Sequence, residues 1–156
     1  MTAGARSAVA MTDSEVASFL AESSKLQLGT VHHDGGPHLA TIFYAMEDGH
    51  IVFWTYARSQ KVRNLERDPR LSCLVEAGWD YHELRGVLVR GSAELVRTES
   101  EVRRIGMSVA RAVRGADIDE VRRRELESQA AKRVAVRVHP SSVASWDHRR
   151  LPRRAG

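Results

Sequence analysis

Residues 25–56 read KLQLGTVHHDGGPHLATIFYAMEDGHIVFWTY, and two turn signals divide this stretch into three extended segments. Leu26 and Leu28 alternate with polar or small residues in the first segment, as in a half-buried strand. The turns are 34–37 (Asp-Gly-Gly-Pro) and 47–50 (Glu-Asp-Gly-His). Because connections this short join antiparallel neighbours, the stretch predicts a meander of strands at 25–32, 37–46 and 51–55.

The same reasoning extends outward to the rest of the chain. Helices are predicted at 12–24, 59–67, from 98 onward and at 117–130, and further strands at 70–76, 84–96 and 133–138. The last strand is expected to close at His139-Pro140, followed by a tail that carries Trp146. About six sequential strands with hidden edges predict a mainly β fold, a six-stranded antiparallel barrel with flanking helices.

Composition places the chain among globular proteins, with 42% hydrophobic and 28% charged residues over 156 positions. We expect a flexible arm at 1–11, one domain at 12–151 and a basic tail at 152–156, with no membrane span, no signal peptide and a cytoplasmic location. The net charge of +4 comes from arginines that alternate with acids, which indicates solvated helix faces rather than nucleic-acid binding. The single cysteine, Cys73, lies in an apolar run and is expected to be a buried core thiol.

The junction after Trp54 is the most informative place for chemistry. A strand ends there, Thr55 and Ser59 offer hydroxyl groups, and a helix begins just before Lys61. The free amides of a helix N-terminus together with a lysine suit a phosphate dianion. The alternative at this point is a capped surface helix with a solvated lysine.

The chain resembles the pyridoxamine 5′-phosphate oxidase-like split-barrel superfamily, and within it the actinobacterial flavin/deazaflavin oxidoreductases, from about residue 13 to about residue 151. Four segments carry the resemblance through their order and spacing: 37–44, 54–65 with Asp68-Pro69-Arg70, 84–94, and the tail 145–151. The resemblance implies a six-stranded split barrel and a homodimer with two cofactor sites between the subunits.

The resemblance also implies a set of cofactor-binding residues. Ser59 and Lys61 would hold the cofactor phosphate, with Gln60 beside them and Arg58 or Arg63 as further cations. The other residues implied in cofactor binding are Leu39, Ala40, Thr41, Ile42, Trp54, Thr55, Arg85, Gly86 and Trp146, the last supplied by the C-terminal segment. Many relatives carry arginine at the position of Gln60, so the preferred phosphate-bearing cofactor stays open. Leu39 and Tyr44 stand where the oxidase itself has arginine and lysine, which argues against that activity.

The function expected from the resemblance is reduction of an electron-poor C=C or C=N bond with the deazaflavin coenzyme F-420. The alternatives are an FMN-dependent oxidoreductase of the same fold and a flavin- or haem-binding protein without turnover. A proton would come from Tyr44, Tyr81 or solvent. We expect no metal site: His32, His33 and His38 flank a tight turn, and His139 or His148 would serve only a haem.

Overall fold

The computed structural model describes residues 8–115 and 117–152. Its helices are α1 (Asp13–Glu22), α2 (Gln60–Arg67), α3 (Glu99–Arg114) and α4 (Glu120–Ala130). Its strands are β1 (Lys25–Val31), β2 (Pro37–Phe43), β3 (Ala45–Glu47), β4 (His50–Tyr56), β5 (Arg70–Ala77), β6 (Arg85–Val96) and β7 (Arg133–Asp147). Short 3₁₀ turns cover Tyr81–Glu83 and His148–Arg150.

The strands form one antiparallel sheet in the order β2-β1-β5-β6-β7-β4-β3. Ile42 of β2 and Phe53 of β4 belong to the same buried cluster although five strand positions separate β2 from β4 in the sheet. The sheet therefore curls around its core as a half-barrel. This confirms the predicted mainly β split barrel with flanking helices.

The strand count is seven instead of the predicted six. The expected single strand at 37–46 divides at Tyr44, because β2 pairs with β1 while β3 turns away to pair with β4. Tyr44 bridges the two with its amide, which donates to the carbonyl of Ser24 at 2.9 Å. Because the sequence has no turn signal between Phe43 and Ala45, it does not predict this change of partner strand.

The last strand is also longer than predicted, since β7 continues past His139-Pro140 to Asp147. A register shift in β6 between Arg90 and Gly91 places Gly91 opposite Pro140. A bulge of this kind lets a strand accommodate a proline that cannot donate to the ladder. The segment expected as a tail is thus a full partner of β6, and it carries Trp146 on the sheet.

Two apolar clusters lie on opposite faces of the sheet. The inner cluster fills the half-barrel beneath α1 and contains Phe19, Leu28, Tyr44, Phe53 and Cys73 among others. The outer cluster packs α3 on β4 and β7. Cys73 is a buried free thiol as predicted, and burial raises its pKa to about 12.

Both ends of the domain pack near each other. The predicted start of α1 is a capping box, with Glu15 donating its amide to the Thr12 hydroxyl and Thr12 donating its amide to the Glu15 carboxylate at 2.7 Å. Within the expected flexible arm, Val9 is buried and the Met11 amide donates to Ser145 Oγ at 3.0 Å, so residues 8–11 lie against the domain. The rest of the expected arm and of the basic tail, residues 1–7 and 153–156, lies outside the described residues. None of the described helices has the length and apolarity needed to cross a membrane.

Candidate cofactor site

A cavity of about 390 Å³ opens where β4 ends and α2 begins. Its walls come from the end of β2, the end of β4, the first turn of α2, the facing sides of α3 and α4, and the start of β7. Thr55 and four cations line it, and we call it the cationic cavity; the cations are Lys61, Arg114, Arg122 and Arg133. Its size suits part of a small-molecule ligand.

Ser59 is the N-cap residue of α2, but its hydroxyl does not cap the helix. The Ser59 side chain makes no capping hydrogen bond, and its Oγ is buried without a partner in the described residues. Its amide donates to the Tyr56 carbonyl at 3.0 Å, which holds the residue between the end of β4 and Lys61. A buried hydroxyl without a partner is costly, so Ser59 Oγ is a donor left unsatisfied at the start of α2, two residues before Lys61, although Ser59 itself does not line the cavity. The junction predicted from the sequence thus fits a phosphate.

The electrostatics of the cavity also favour an anion. Burial lowers the pKa of Lys61, and the nearby charge of Arg133 lowers it further. The Arg133 guanidinium lies 4.4 Å from the ring centroids of both Trp54 and Tyr56. No Asp or Glu is among the residues that line the described cavity. The site therefore gathers positive charge that the protein itself does not neutralise there.

Trp54 and Thr55 occupy the floor of this cavity as expected for cofactor neighbours. Trp54 packs tightly on α3, where a Cβ added to Gly106 would lie 2.6 Å from the indole. Thr55 is buried and faces the cavity from the neighbouring position. Gly106 is therefore the residue that lets α3 approach the indole closely enough to form one wall.

Gln60 and Arg63 are not directed at the cationic cavity. The Gln60 amide donates to Asn64 Oδ1 at 2.9 Å, and the buried Asn64 donates to Thr30 Oγ1 at 3.0 Å. The Arg63 side chain is exposed and is not among the residues lining that cavity. Gln60 thus anchors α2 to β1, whereas Arg133 of β7 lines the cavity as a further cation near Lys61.

The residues expected from β2 divide between the two faces of the sheet. Directly paired residues project to the same face, so Leu39 and Thr41 lie outside with Gly29 and Gln27. Ala40 and Ile42 point inward, and Ile42 is part of the inner core. Thr41 and Ile42 reach the cationic cavity at the end of the strand.

Arg85, Gly86 and Trp146 form a second group that the single chain keeps apart from the cavity. Gly86 pairs with Trp146, whose indole lies so close that a Cβ on Gly86 would be 2.2 Å from it. Both lie on the outer face, Gly86 three and Trp146 four strand positions from β2. Arg85 points inward, with its guanidinium 5.2 Å from the Phe19 ring centroid.

Comparison with known proteins identifies the family to which this fold belongs. The profile described as pyridoxamine 5′-phosphate oxidase matches residues 12–147. The chain belongs to the pyridoxamine 5′-phosphate oxidase family. The match spans every strand, both groups of expected cofactor residues and the whole cationic cavity.

Three solved structures illustrate the range of similar proteins. A conserved hypothetical protein from Mycobacterium tuberculosis is 40% identical with a TM-score of 0.87, covering 97% of this chain and 95% of that one. An F420 reductase is 22% identical with a TM-score of 0.66, covering 81% and 94%. A haem-storage protein from Vibrio cholerae is 18% identical, also with a TM-score of 0.66, covering 85% and 94%. The F420 reductase and the haem-storage protein share the fold of this chain.

The two tyrosines expected as proton donors take different positions. Tyr44 is fully buried, its hydroxyl donates to the Leu20 carbonyl at 2.7 Å, and burial raises its pKa. This placement makes Tyr44 a core residue, remote from any groove. Tyr81 is exposed, with its ring 4.7 Å from that of His148 and its carbonyl accepting from His148 Nδ1 at 2.9 Å. Neither tyrosine lines the cationic cavity.

The histidines are engaged with neighbours in separate places. His32 pairs with Asp34 at 3.1 Å, and His139 pairs with Glu94 at 2.6 Å. Over residues 8–115 and 117–152, no three His, Cys, Asp or Glu side chains come together as a metal site would require.

Sequence reasoning missed three arginines of the cavity. Arg114 and Arg122 were grouped with the solvated helix faces, and Arg133 was only the first residue of the last strand. Arg133 reaches the site because β7 pairs with β4, which places Arg133 opposite Tyr56 although the two residues are 77 positions apart in the sequence. A spacing pattern within one segment carries no signal for such a pairing.

Proposed function

We propose that the chain is an oxidoreductase that uses the deazaflavin coenzyme F-420 to reduce an electron-poor C=C or C=N bond of a small molecule. The observation that carries this proposal is the cationic cavity beside the unpartnered Ser59 hydroxyl. Phosphate-bearing cofactors need such a combination of cations, hydroxyls and free helix amides. The similarity of fold to an F420 reductase supports the same reading.

The residues present fit such a cofactor. Ser59, Lys61 and the first amides of α2 would hold its phosphate, with Thr55 as a second hydroxyl donor. Trp54 and Thr41 would border the remainder of the molecule. When bound, the reduced deazaflavin supplies the hydride. The chain's own contribution is to bind and orient, and its proton source is Tyr81 or solvent, since Tyr44 belongs to the core.

We propose further that two copies of the chain complete each site, as a homodimer. The outward-facing residues among the expected cofactor residues include two groups: Leu39 and Thr41 on β2, and Gly86 and Trp146 on β6 and β7, which lie three and four positions from β2 in the sheet. A two-fold partner would bring the Gly86–Trp146 group of one subunit to the β2 and β4 group of the other. Exposed Leu39 and Phe43 on edge strand β2 support a covered face there.

The alternative cofactor is FMN, whose single phosphate meets the same Ser59 and Lys61. Titration of the purified protein with F-420 and FMN side by side, followed by fluorescence, separates the two. We expect saturable binding that is tighter for F-420, and Lys61→Ala should weaken it by about 1.5–3 kcal/mol, the scale of a hydrogen bond to a charged group.

Activity is tested with reduced F-420 and a panel of quinones, enones and imines. Oxidation of the coenzyme by a member of the panel supports the reductase. Tight binding without turnover on any member assigns the chain to the non-catalytic flavin- or haem-binding class. Binding of neither cofactor rejects the proposed site.

A further inference from the structure

We propose that the cationic cavity holds a second anionic group, separate from the phosphate at Ser59 and Lys61, on Arg122 and Arg133 with Arg114 beside them. The inference deepens the proposed cofactor site and rests on it for the identity of the whole ligand. It specifies the ligand class: a molecule with one phosphate and at least one further carboxylate or phosphate a few bonds away.

Unpartnered donors are concentrated at this cavity. Five buried side-chain polar atoms in the described residues have no hydrogen-bond partner, and two of them are the Nε atoms of Arg122 and Arg133, which both line the cavity. Because buried donors in folded proteins are almost always bonded, two unpartnered donors in one cavity indicate a ligand rather than two separate defects.

Arg133 is held in place from one side only. Its guanidinium rests on Trp54 and Tyr56, and its Nη2 donates to Gln129 Oε1 at 3.2 Å. Gln129 is neutral, so the arginine charge stays uncompensated by this contact. Burial lowers the pKa of Arg133, and the charge of Arg122 lowers it further. Two cations that line the same cavity and repel each other are best accommodated by an anion between them.

Arg122 also has a buried donor without a partner, unlike the solvent-exposed Arg124 on the same helix. Arg124 extends into solvent and pairs with Glu120 at 3.2 Å, as a surface arginine commonly does. Arg122 pairs at 2.8 Å with Glu125, which is half exposed and does not line the cavity. Its buried Nε stays unbonded, and the side chain lines the cavity. Arg124 is therefore a matched control on the same helix.

The charge balance requires more than one phosphate. A bound phosphate monoester carries about −1.5 to −2 at neutral pH. Four cations line the cavity, and no lining residue of the described chain is acidic. Glu125, outside the cavity, pairs with Arg122, so one phosphate leaves about one positive charge unneutralised on the side of the cavity formed by α3, α4 and β7. A chain of carboxylates and a diphosphate would both meet this requirement.

The test begins with inorganic probes, so that it does not depend on the cofactor. We expect wild-type protein to bind tripolyphosphate at least tenfold more tightly than orthophosphate by calorimetry. Arg122→Gln should abolish most of this preference, Arg122→Lys should retain part of it, and Arg124→Gln should leave it intact. Equal affinity for the two probes in wild type, or a preference that survives Arg122→Gln, overturns the second anion site.

The second arm compares whole cofactors by their dissociation constants. Arg122→Gln should weaken F-420, whose tail carries carboxylates, at least fivefold more than FMN, whereas Lys61→Ala should weaken both. A larger effect on the diphosphate of FAD than on F-420 identifies the second group as a phosphate. Binding of no flavin or deazaflavin to wild type rejects the proposed function, while the inorganic titration still decides the second anion site.

Discussion

Two N-cap hydroxyls in this chain have opposite roles. Thr12 makes a full capping box with Glu15, whereas the Ser59 hydroxyl makes no cap bond. We therefore predict that Thr12→Ala costs about 1 kcal/mol of stability and that Ser59→Ala costs less than about 0.5 kcal/mol. Urea denaturation of both variants measures the difference.

Ser59→Ala should instead weaken orthophosphate or cofactor binding about tenfold, the effect of losing one hydrogen bond to a charged group. Thr12→Ala should leave the affinity unchanged. Equal losses of stability in the two variants, with unchanged affinity in Ser59→Ala, would assign Ser59 to capping alone.

The buried charge of Lys61 lowers the stability of the unliganded protein. The pKa of Lys61 is lowered, so between that value and the ordinary lysine value of 10.5 the unfolded chain binds more protons and stability rises with pH. Below this window the buried charge is destabilising. We predict that Lys61→Met raises Tm at pH 7 by roughly 1–3 °C, with a gain that shrinks as pH rises through the window.

Calorimetric melts from pH 7 to 10 test this, with the exposed Lys25→Met as control. The Lys25 variant should melt like wild type throughout. A Lys61→Met variant that melts lower than wild type at pH 7 would show that the lysine charge is satisfied without a ligand.

At the residue scale, local pattern was sufficient to predict part of the candidate site. Ser59 and Lys61 were proposed because a strand end, hydroxyls and a helix start follow one another in the chain. Arg133 was not, because its place depends on the pairing of β7 with β4. Tyr44 was considered as a proton donor because side-chain type alone does not distinguish an accessible hydroxyl from one that bonds a buried carbonyl.

At the scale of elements, β7 shows what a proline rule misses. Pro140 lacks an amide hydrogen and predicts a strand end. The strand continues because Gly91 of β6 lies opposite and leaves room: a Cβ at Gly91 would be 2.1 Å from the His139 carbonyl oxygen. The compensating feature is thus on another strand, which explains why the first part of β7 was predicted and its C-terminal extension was not.

We predict that Gly91→Ala destabilises the protein by about 2–3 kcal/mol, since backbone must move to admit the methyl group. Gly29→Ala is the matched control on β1, where the nearest atom to the new Cβ lies at 3.6 Å. That variant should stay within about 0.5 kcal/mol of wild type, or gain stability. Thermal unfolding of the two variants tests this prediction. Equal stabilities would mean that the backbone around the bulge moves at little cost to admit the methyl group.

At the scale of the whole molecule, the half-barrel leaves an apolar edge uncovered. Leu39 is 73% exposed on edge strand β2, and Phe43 follows on the same face. Such an edge invites pairing with another chain, and burial of a leucine is worth about 1.5–3 kcal/mol. The homodimer proposed for the cofactor site would cover this edge.

We predict that Leu39→Glu converts a dimer to a monomer or weakens dimerisation at least tenfold, because the carboxylate would be buried without a partner. Val121→Glu is the matched control, since Val121 is 69% exposed on α4 and does not line the cationic cavity. Sedimentation equilibrium at about 10–100 μM should find wild type and Val121→Glu dimeric. A monomeric wild type, or identical behaviour of the two glutamate variants, would remove β2 from any interface. The Gly86–Trp146 group would then need another route to the cationic cavity, because within one chain its strands β6 and β7 lie three and four positions from β2 in the sheet.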